Sequence, residues 1–275
     1  MNSPYCERRF INVQIQYNTS DCQQTIGQTY VGCIVYADDI ILLSASVCRL
    51  QEMMDTCVKK GAELDIIFNA NKSKLFSVGS SYNSQYCNLV LGSESIQWVK
   101  ELKYLGLYFI SGRKFKIDVS VAIKRFYASA NAIFCHSKYV SEHVKLRLME
   151  CFVLPLLTYS LESINLPTAQ MRQLNVCWNN VYRKIFSMHK WESVKDIQFY
   201  SGRLDLFHML HMRKLNFFGR LLYGSHNNSV LSVCGKGYSY NIELVPLCYQ
   251  YDIDISTLGR RIDHFMYASF ASVCT

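Results

Sequence analysis

Closely spaced cysteines are missing from this chain: the nearest pair among its twelve, Cys48 and Cys57, stands nine positions apart. Zinc sites of the C-x2-C kind need ligands two to four residues apart, so that class is excluded. His208 and His211 are i,i+3 on a helical pattern, but a metal site needs further ligands and none is obvious. The cysteines fall inside apolar runs, and a signal-like start is absent too, which reads as reduced thiols in an intracellular protein. Long apolar stretches are also lacking. The longest, around Phe152 to Leu161, contains Pro155 and is too short to span a bilayer, so no membrane partner is expected. Repeats and low-complexity tracts are absent. Acidic side chains are scarce at the start, where only Glu7 and Asp21 precede position 38.

What is present begins with an acidic pair in an apolar setting. Val31-Gly32-Cys33-Ile34-Val35 and Ile40-Ile41-Leu42-Leu43 are rich in β-branched residues and read as two short strands, with Tyr36-Ala37-Asp38-Asp39 as the tight turn of a hairpin. Adjacent anions on an apolar hairpin cost several kcal/mol each if half-buried without compensation, which suggests a bound cation. Hard divalent ions such as Mg²⁺ take carboxylate oxygens and bridge to phosphates. An exposed turn in which Asp is a good turn former gives the same string.

Downstream, Ser46 can cap a helix through about Lys60, with Leu50, Met53, Met54, Cys57 and Val58 at helical spacing and Gly61 as its stop. Leu64, Ile66 and Phe68 alternate as a strand. A polar loop, Asn69-Ala70-Asn71-Lys72-Ser73-Lys74, precedes Leu75-Phe76-Ser77-Val78, and on composition alone Lys72 and Lys74 are ordinary surface lysines. Glu101 to Phe109 reads as one strand carrying Gly106, a residue that lets backbones approach closely.

Charge divides the chain. Residues 1–99 hold 7 Lys+Arg against 9 Asp+Glu, residues 100–220 hold 19 against 8, and residues 221–275 hold 3 against 4, so net charges of −2, +11 and −1 make up the +8. A basic segment of this kind suits a phosphate-tracking surface, or is a solvated face with no partner. The same segment turns helical. One stripe runs Val119, Ile123, Phe126, Tyr127, Ala130, Phe134, with Lys124, Arg125 and Asn131 outside it. A second runs Val140, Val144, Leu148, Cys151, Phe152, where Pro155 should kink or end it. After a Thr168 cap, Met171, Leu174, Trp178, Val181 and Ile185 form a third, opposite Arg172, Arg183 and Lys184. Leu206, Leu210, Leu215, Phe218 and Leu222 form the fourth, flanked by Arg213, Lys214 and Arg220. The aromatic residues of these stripes read as core.

Together these segments resemble reverse transcriptases, especially those of non-LTR (LINE-like) retrotransposons. Tyr36-Ala37-Asp38-Asp39 looks like their catalytic hairpin, Asn69 to Ser73 is similar to their Asn-x-x-Lys-Ser segment, and Glu101 to Phe109 is similar to their primer-grip strand. The resemblance implies an RNA-directed DNA polymerase using Mg²⁺, with Asp38 as metal ligand, Asp39 beside it, Tyr36 at the primer end and Lys72 near the departing pyrophosphate. It also implies a fold of the α+β class: a partial palm over residues 1–110, an antiparallel hairpin with a packed helix, and then an all-α thumb-like bundle over residues 111–224. In that frame Cys151 to Asn165 looks like a thumb segment, and residues 225–275 form an unassigned tail. An RNA template or RNA–DNA duplex is the implied partner, through Lys124, Arg125, Arg172, Arg183, Lys184, Arg213 and Lys214.

The family requires an earlier strand bearing a further aspartate, because two Mg²⁺ ions need carboxylates from two strands. Neither Glu7 nor Asp21 follows a strand-like run, and residues 10–35 look like a link into the hairpin. The expectation is a palm without its first aspartate strand or fingers, inactive by itself. A non-catalytic nucleic-acid-binding remnant, or a fragment of a decayed element, fits the same residues.

Overall fold

In the computed structural model, residues 9–10, 14–17, 25–26, 29–30, 32–223, 244–254, 258 and 269 are described. Glu7, Asp21, Val31 and most of the expected tail lie outside them. The chain divides into two compact units, Met1–Asp118 and Val119–Thr275. Among the described residues the first mixes small sheets with one helix and the second is helical, an α+β arrangement.

The strands in chain order are β1 (Arg9–Phe10), β2 (Gln14–Tyr17), β3 (Thr25–Ile26), β4 (Thr29–Tyr30), β5 (Cys33–Tyr36), β6 (Asp39–Ser44), β7 (Ile67–Phe68), β8 (Leu75–Val78), β9 (Leu89–Leu91), β10 (Glu94–Ile96), β11 (Trp98–Val99), β12 (Glu101–Tyr104), β13 (Leu107–Ile110) and β14 (Lys116–Ile117), with helix α1 (Val47–Ala62) between β6 and β7. The largest sheet has the order β11-β8-β2-β6-β5. Its β5–β6 edge is the antiparallel hairpin expected from the apolar flanks. Residues 10–35 are more than a link, because β2 lies at the centre of the sheet, parallel to both β6 and β8.

The two faces of β6 alternate as a half-buried strand should. Ile40 and Leu42 pack with Leu50 and Met54 of α1, while Ile41 and Leu43 pack with Phe76, Val78, Leu102 and Phe109. Leu42, Leu50 and Met54 are fully buried, each removal from water contributing about 1.5–3 kcal/mol before entropy is counted.

Four local expectations change. Ser46 does hold the N-cap position of α1 but makes no side-chain cap; the hydroxyl of Ser44 accepts from its N–H and donates to its carbonyl. Gly61 lies inside the helix rather than ending it, buried where an added Cβ would meet the Phe68 ring at 2.7 Å and the Ile66 carbonyl at 2.9 Å. Glu101 to Phe109 is two strands, not one: β12 and β13 pair in register Tyr104↔Leu107. The turn residues Leu105 and Gly106 have φ of 45° and 83°, the sign pattern of a type I′ turn that matches hairpin twist. The expected strand over Leu64 to Phe68 is only Ile67–Phe68.

The second unit contains α2 (Ser120–His136), α3 (Glu142–Leu148), α4 (Leu154–Thr158), α5 (Thr168–Ile185), α6 (Lys195–Tyr200), α7 (Leu206–Tyr223) and α8 (Val245–Gln250). Pro155 cannot donate to the carbonyl four residues back, and the chain widens before it into a π turn, Met149–Val153, closed by the Leu154 N–H on the Met149 carbonyl. The first and third apolar stripes, with Leu206 and Leu210 of the fourth, meet in one core around Phe126, Leu146, Met149, Leu157, Leu174, Trp178 and Tyr182. The second stripe does not: Val144, Cys151 and Phe152 are exposed, and the buried face of that segment is Leu146, Met149, Val153 and Leu157, a different set of helical positions. Thr168 begins α5 without capping it. Asp205, by contrast, caps α7, accepting the His208 N–H at 2.8 Å. A second core joins Leu215 and Phe218 of α7 to Leu244, Cys248, Tyr251 and Ile253, so part of the residues left unassigned as a tail packs on that helix. Among the described residues no helix is long and apolar enough to cross a membrane.

Candidate nucleotidyl-transfer site

The hairpin register pairs Tyr36 with Asp39 and leaves Ala37 and Asp38 as a two-residue turn. Ala37 takes a positive φ of 48°. Asp38 is therefore exposed at the tip, while Asp39, the first residue of β6, is half-buried on the face shared with Ile41 and Leu43. Tyr36 is 62% exposed beside them.

Lys72 reaches the same end of the sheet by a different route. Asn69 organises its loop: the Asn69 side-chain oxygen and carbonyl both accept the Lys72 N–H, and the carbonyl also accepts the N–H and hydroxyl of buried Ser73. This Asx-type turn is the physical content of the Asn-x-x-Lys-Ser pattern. Because β2 is parallel to both β6 and β8, with Gln14 opposite Leu42 on one side and Leu75 on the other, the segments entering β6 and β8 share one end. Asp39 stands three residues before Leu42, at the start of β6, and Lys72 three before Leu75, in the turn that leads into β8.

Tyr104, the last residue of β12, is a site neighbour that the sequence did not single out. Burial raises its phenol pKa, and the nearby Asp39 and Tyr36 raise it further. It packs against the β6 face that carries Asp39. No sequence signal marks it beyond its place in the Glu101–Phe109 run.

The described residues contain no group of three His, Cys, Asp or Glu side chains placed for a metal. Mg²⁺ uses one or two carboxylates, keeps several waters and shares substrate phosphates. Asp38 and Asp39 suit one such ion. Two-metal phosphoryl transfer needs carboxylates from two strands, and among the described residues the segment paired with β6, Gln14-Ile15-Gln16-Tyr17, adds no acid to them.

The basic candidates separate into two groups. Lys124 and Arg125 on α2 and Arg172 on α5 are exposed. The other four are engaged within the helical unit. Arg183 donates from Nε and Nη2 to the Glu192 carbonyl and from Nη1 to Asn180. Lys184 donates to Asn131 at 3.0 Å and lies 4.2 Å above the Phe134 ring. Arg213 donates to the buried hydroxyl of Thr158 at 2.6 Å, and Lys214 to the Ile164 carbonyl at 3.1 Å.

Residues 1–109 match the family profile described as reverse transcriptase (RNA-dependent DNA polymerase), and are similar to that domain. The match ends within β13. No curated protein matches the chain.

Proposed function

We propose that the chain is the palm-and-thumb part of an RNA-directed DNA polymerase of the non-LTR, LINE-like type. The observation that carries this is the acidic hairpin tip lying at the same end of the sheet as the Lys72 loop, inside the stretch similar to reverse transcriptases. In this reading Asp38 is the metal ligand, Asp39 its partner, Tyr36 sits at the primer end and Lys72 near the departing pyrophosphate. A bound Mg²⁺ would neutralise phosphate charge as it does throughout nucleotidyl transfer. The protein's own part is to hold two carboxylates on a rigid turn and a cation opposite them.

In this reading residues 1–275 by themselves do not extend a primer, because the described part of the strand next to β6, Gln14–Tyr17, supplies no third carboxylate. Purified protein given an RNA template, an annealed DNA primer, Mg²⁺ and nucleotides should show no incorporation. Template-dependent incorporation that Asp38→Ala abolishes would refute this.

A second reading, non-catalytic binding of RNA–DNA duplex by the helical unit, is favoured by the +8 charge of residues 119–220, 14 Lys+Arg against 6 Asp+Glu, and by the exposure of Lys124, Arg125 and Arg172. Log affinity should fall linearly with log salt, and replacing those three by Ala should flatten the slope by up to about 0.9 per lost phosphate contact. Salt-independent binding rules it out.

A further inference from the structure

The three tryptophans have different surroundings. Trp178 is 1% exposed in the main helical core, and Trp98 is half-buried, its indole N–H donating to the Cys87 carbonyl. Trp191 is 80% exposed. It lies in the loop between α5 and α6, stacked on His189 with ring centroids 4.5 Å apart and planes 3° from parallel. One face of the indole is thus backed by imidazole and the ring is held out into solvent.

The loop holding it is pinned at several points. Arg183 grips the Glu192 carbonyl, the Glu192 carboxylate accepts the His189 N–H at 2.6 Å, and the Glu192 N–H returns to the His189 carbonyl at 3.2 Å. Val194 is buried and Met188 packs on the same core. Such anchoring presents the ring with little ordering left to do on binding. The surroundings are cationic: residues 183–195 contain Arg183, Lys184, Lys190 and Lys195 against Glu192 alone, net +3. An exposed ring meant for an apolar protein surface would have apolar neighbours; here Lys190, Glu192, Ser193 and Lys195 around it are exposed or half-buried and polar.

We propose that the His189–Trp191 loop is a stacking platform for an unpaired base of single-stranded nucleic acid, with Trp191 as the ring and Lys190 as a phosphate neighbour. An aromatic face beside lysines binds single strands without sequence preference, because every base has a π-face. The inference rests on the nucleic-acid reading above and adds the strand type and the residue.

The test uses the full chain at low salt with an oligouridylate of about 12 nucleotides and, separately, a blunt RNA–DNA duplex. Oligouridylate should quench the tryptophan fluorescence. Trp191→Ala should remove that quench and weaken oligouridylate about 5- to 150-fold, the range for loss of one stacked base, while duplex affinity stays unchanged. Trp191→Phe should restore most of the affinity. Because the ring is exposed, circular dichroism of both variants should match the parent. Equal oligouridylate affinity in parent and Trp191→Ala, or equal weakening of oligouridylate and duplex, overturns the platform and leaves the duplex reading standing. Failure of the parent to bind either ligand overturns both.

Discussion

Acidification should loosen the contact between α7 and the segment carrying Tyr251, and one side chain sets the amount. His211 accepts the Tyr251 hydroxyl at Nδ1, 2.8 Å away. Burial pushes the pKa of His211 from 6.5 down to about 4, with His208 and Lys214 lowering it further and Asp205 opposing them. Tyr251 itself is raised by burial and by Asp205, so it stays the donor. A depressed histidine pKa means that the unfolded chain binds the proton first. The stabilisation is therefore complete above about pH 6.5 and is lost as pH falls toward 4. Over that window the shift corresponds to about 2–3 kcal/mol, at a slope of at most about 1.4 kcal/mol per pH unit. The assay is urea unfolding at pH 7.5 and pH 4.5, in parent and in His211→Gln, which keeps a neutral acceptor at every pH. Carboxylates titrate alike in both proteins, so the difference between their pH dependences isolates His211. Parallel curves would refute the assignment of a buried neutral imidazole.

Two substitutions test the backbone reasoning. Leu105→Asn should stabilise the β12–β13 hairpin by about 0.5–1 kcal/mol, since a left-handed Leu is strained and Asn-Gly is the preferred type I′ pair; a lower urea midpoint would contradict the turn. Gly61→Ala gains about 1 kcal/mol of helix propensity but drives a methyl into the Ile66 carbonyl and the Phe68 ring. With overpacking at about 1–3 kcal/mol, it should lower thermal stability or leave it flat, and a clear rise would show that the contact yields.

The hairpin and α1 were legible because their periodicities, two and 3.6, are written in apolar residues on either side of a short acidic turn. Gly106 was legible as special but not as a turn, because its partner Leu105 is a residue that avoids positive φ. Gly61 likewise sits where a helix end is expected, and only packing reveals that its missing Cβ makes room for Phe68. Arg183 and Lys184 fall on the face opposite their apolar stripe and Arg213 and Lys214 flank theirs. A pattern gives the face of a helix and not the reach of a long side chain, and all four reach back to carbonyls, a hydroxyl or a ring of neighbouring segments. The acids of the candidate site could be read directly, whereas Tyr104 and the parallel partners of β2 depend on pairings between segments far apart in sequence. Trp191 stands outside every stripe, but so do buried Met149, Val153 and Val194, so its exposure was not legible in the sequence.

The central place of β2 sets a timetable for synthesis. Gln14–Tyr17 leaves the ribosome before either neighbour, gains one partner with β6 and the other only when Val78, 61 residues after Tyr17, has been made. At roughly 5–20 residues per second that second edge stays bare for about 3–12 s. A nascent chain in this interval offers unpaired amides to any strand it meets, so slowing translation between positions 45 and 78 should raise the yield of misassembled protein more than slowing it anywhere in the helical unit.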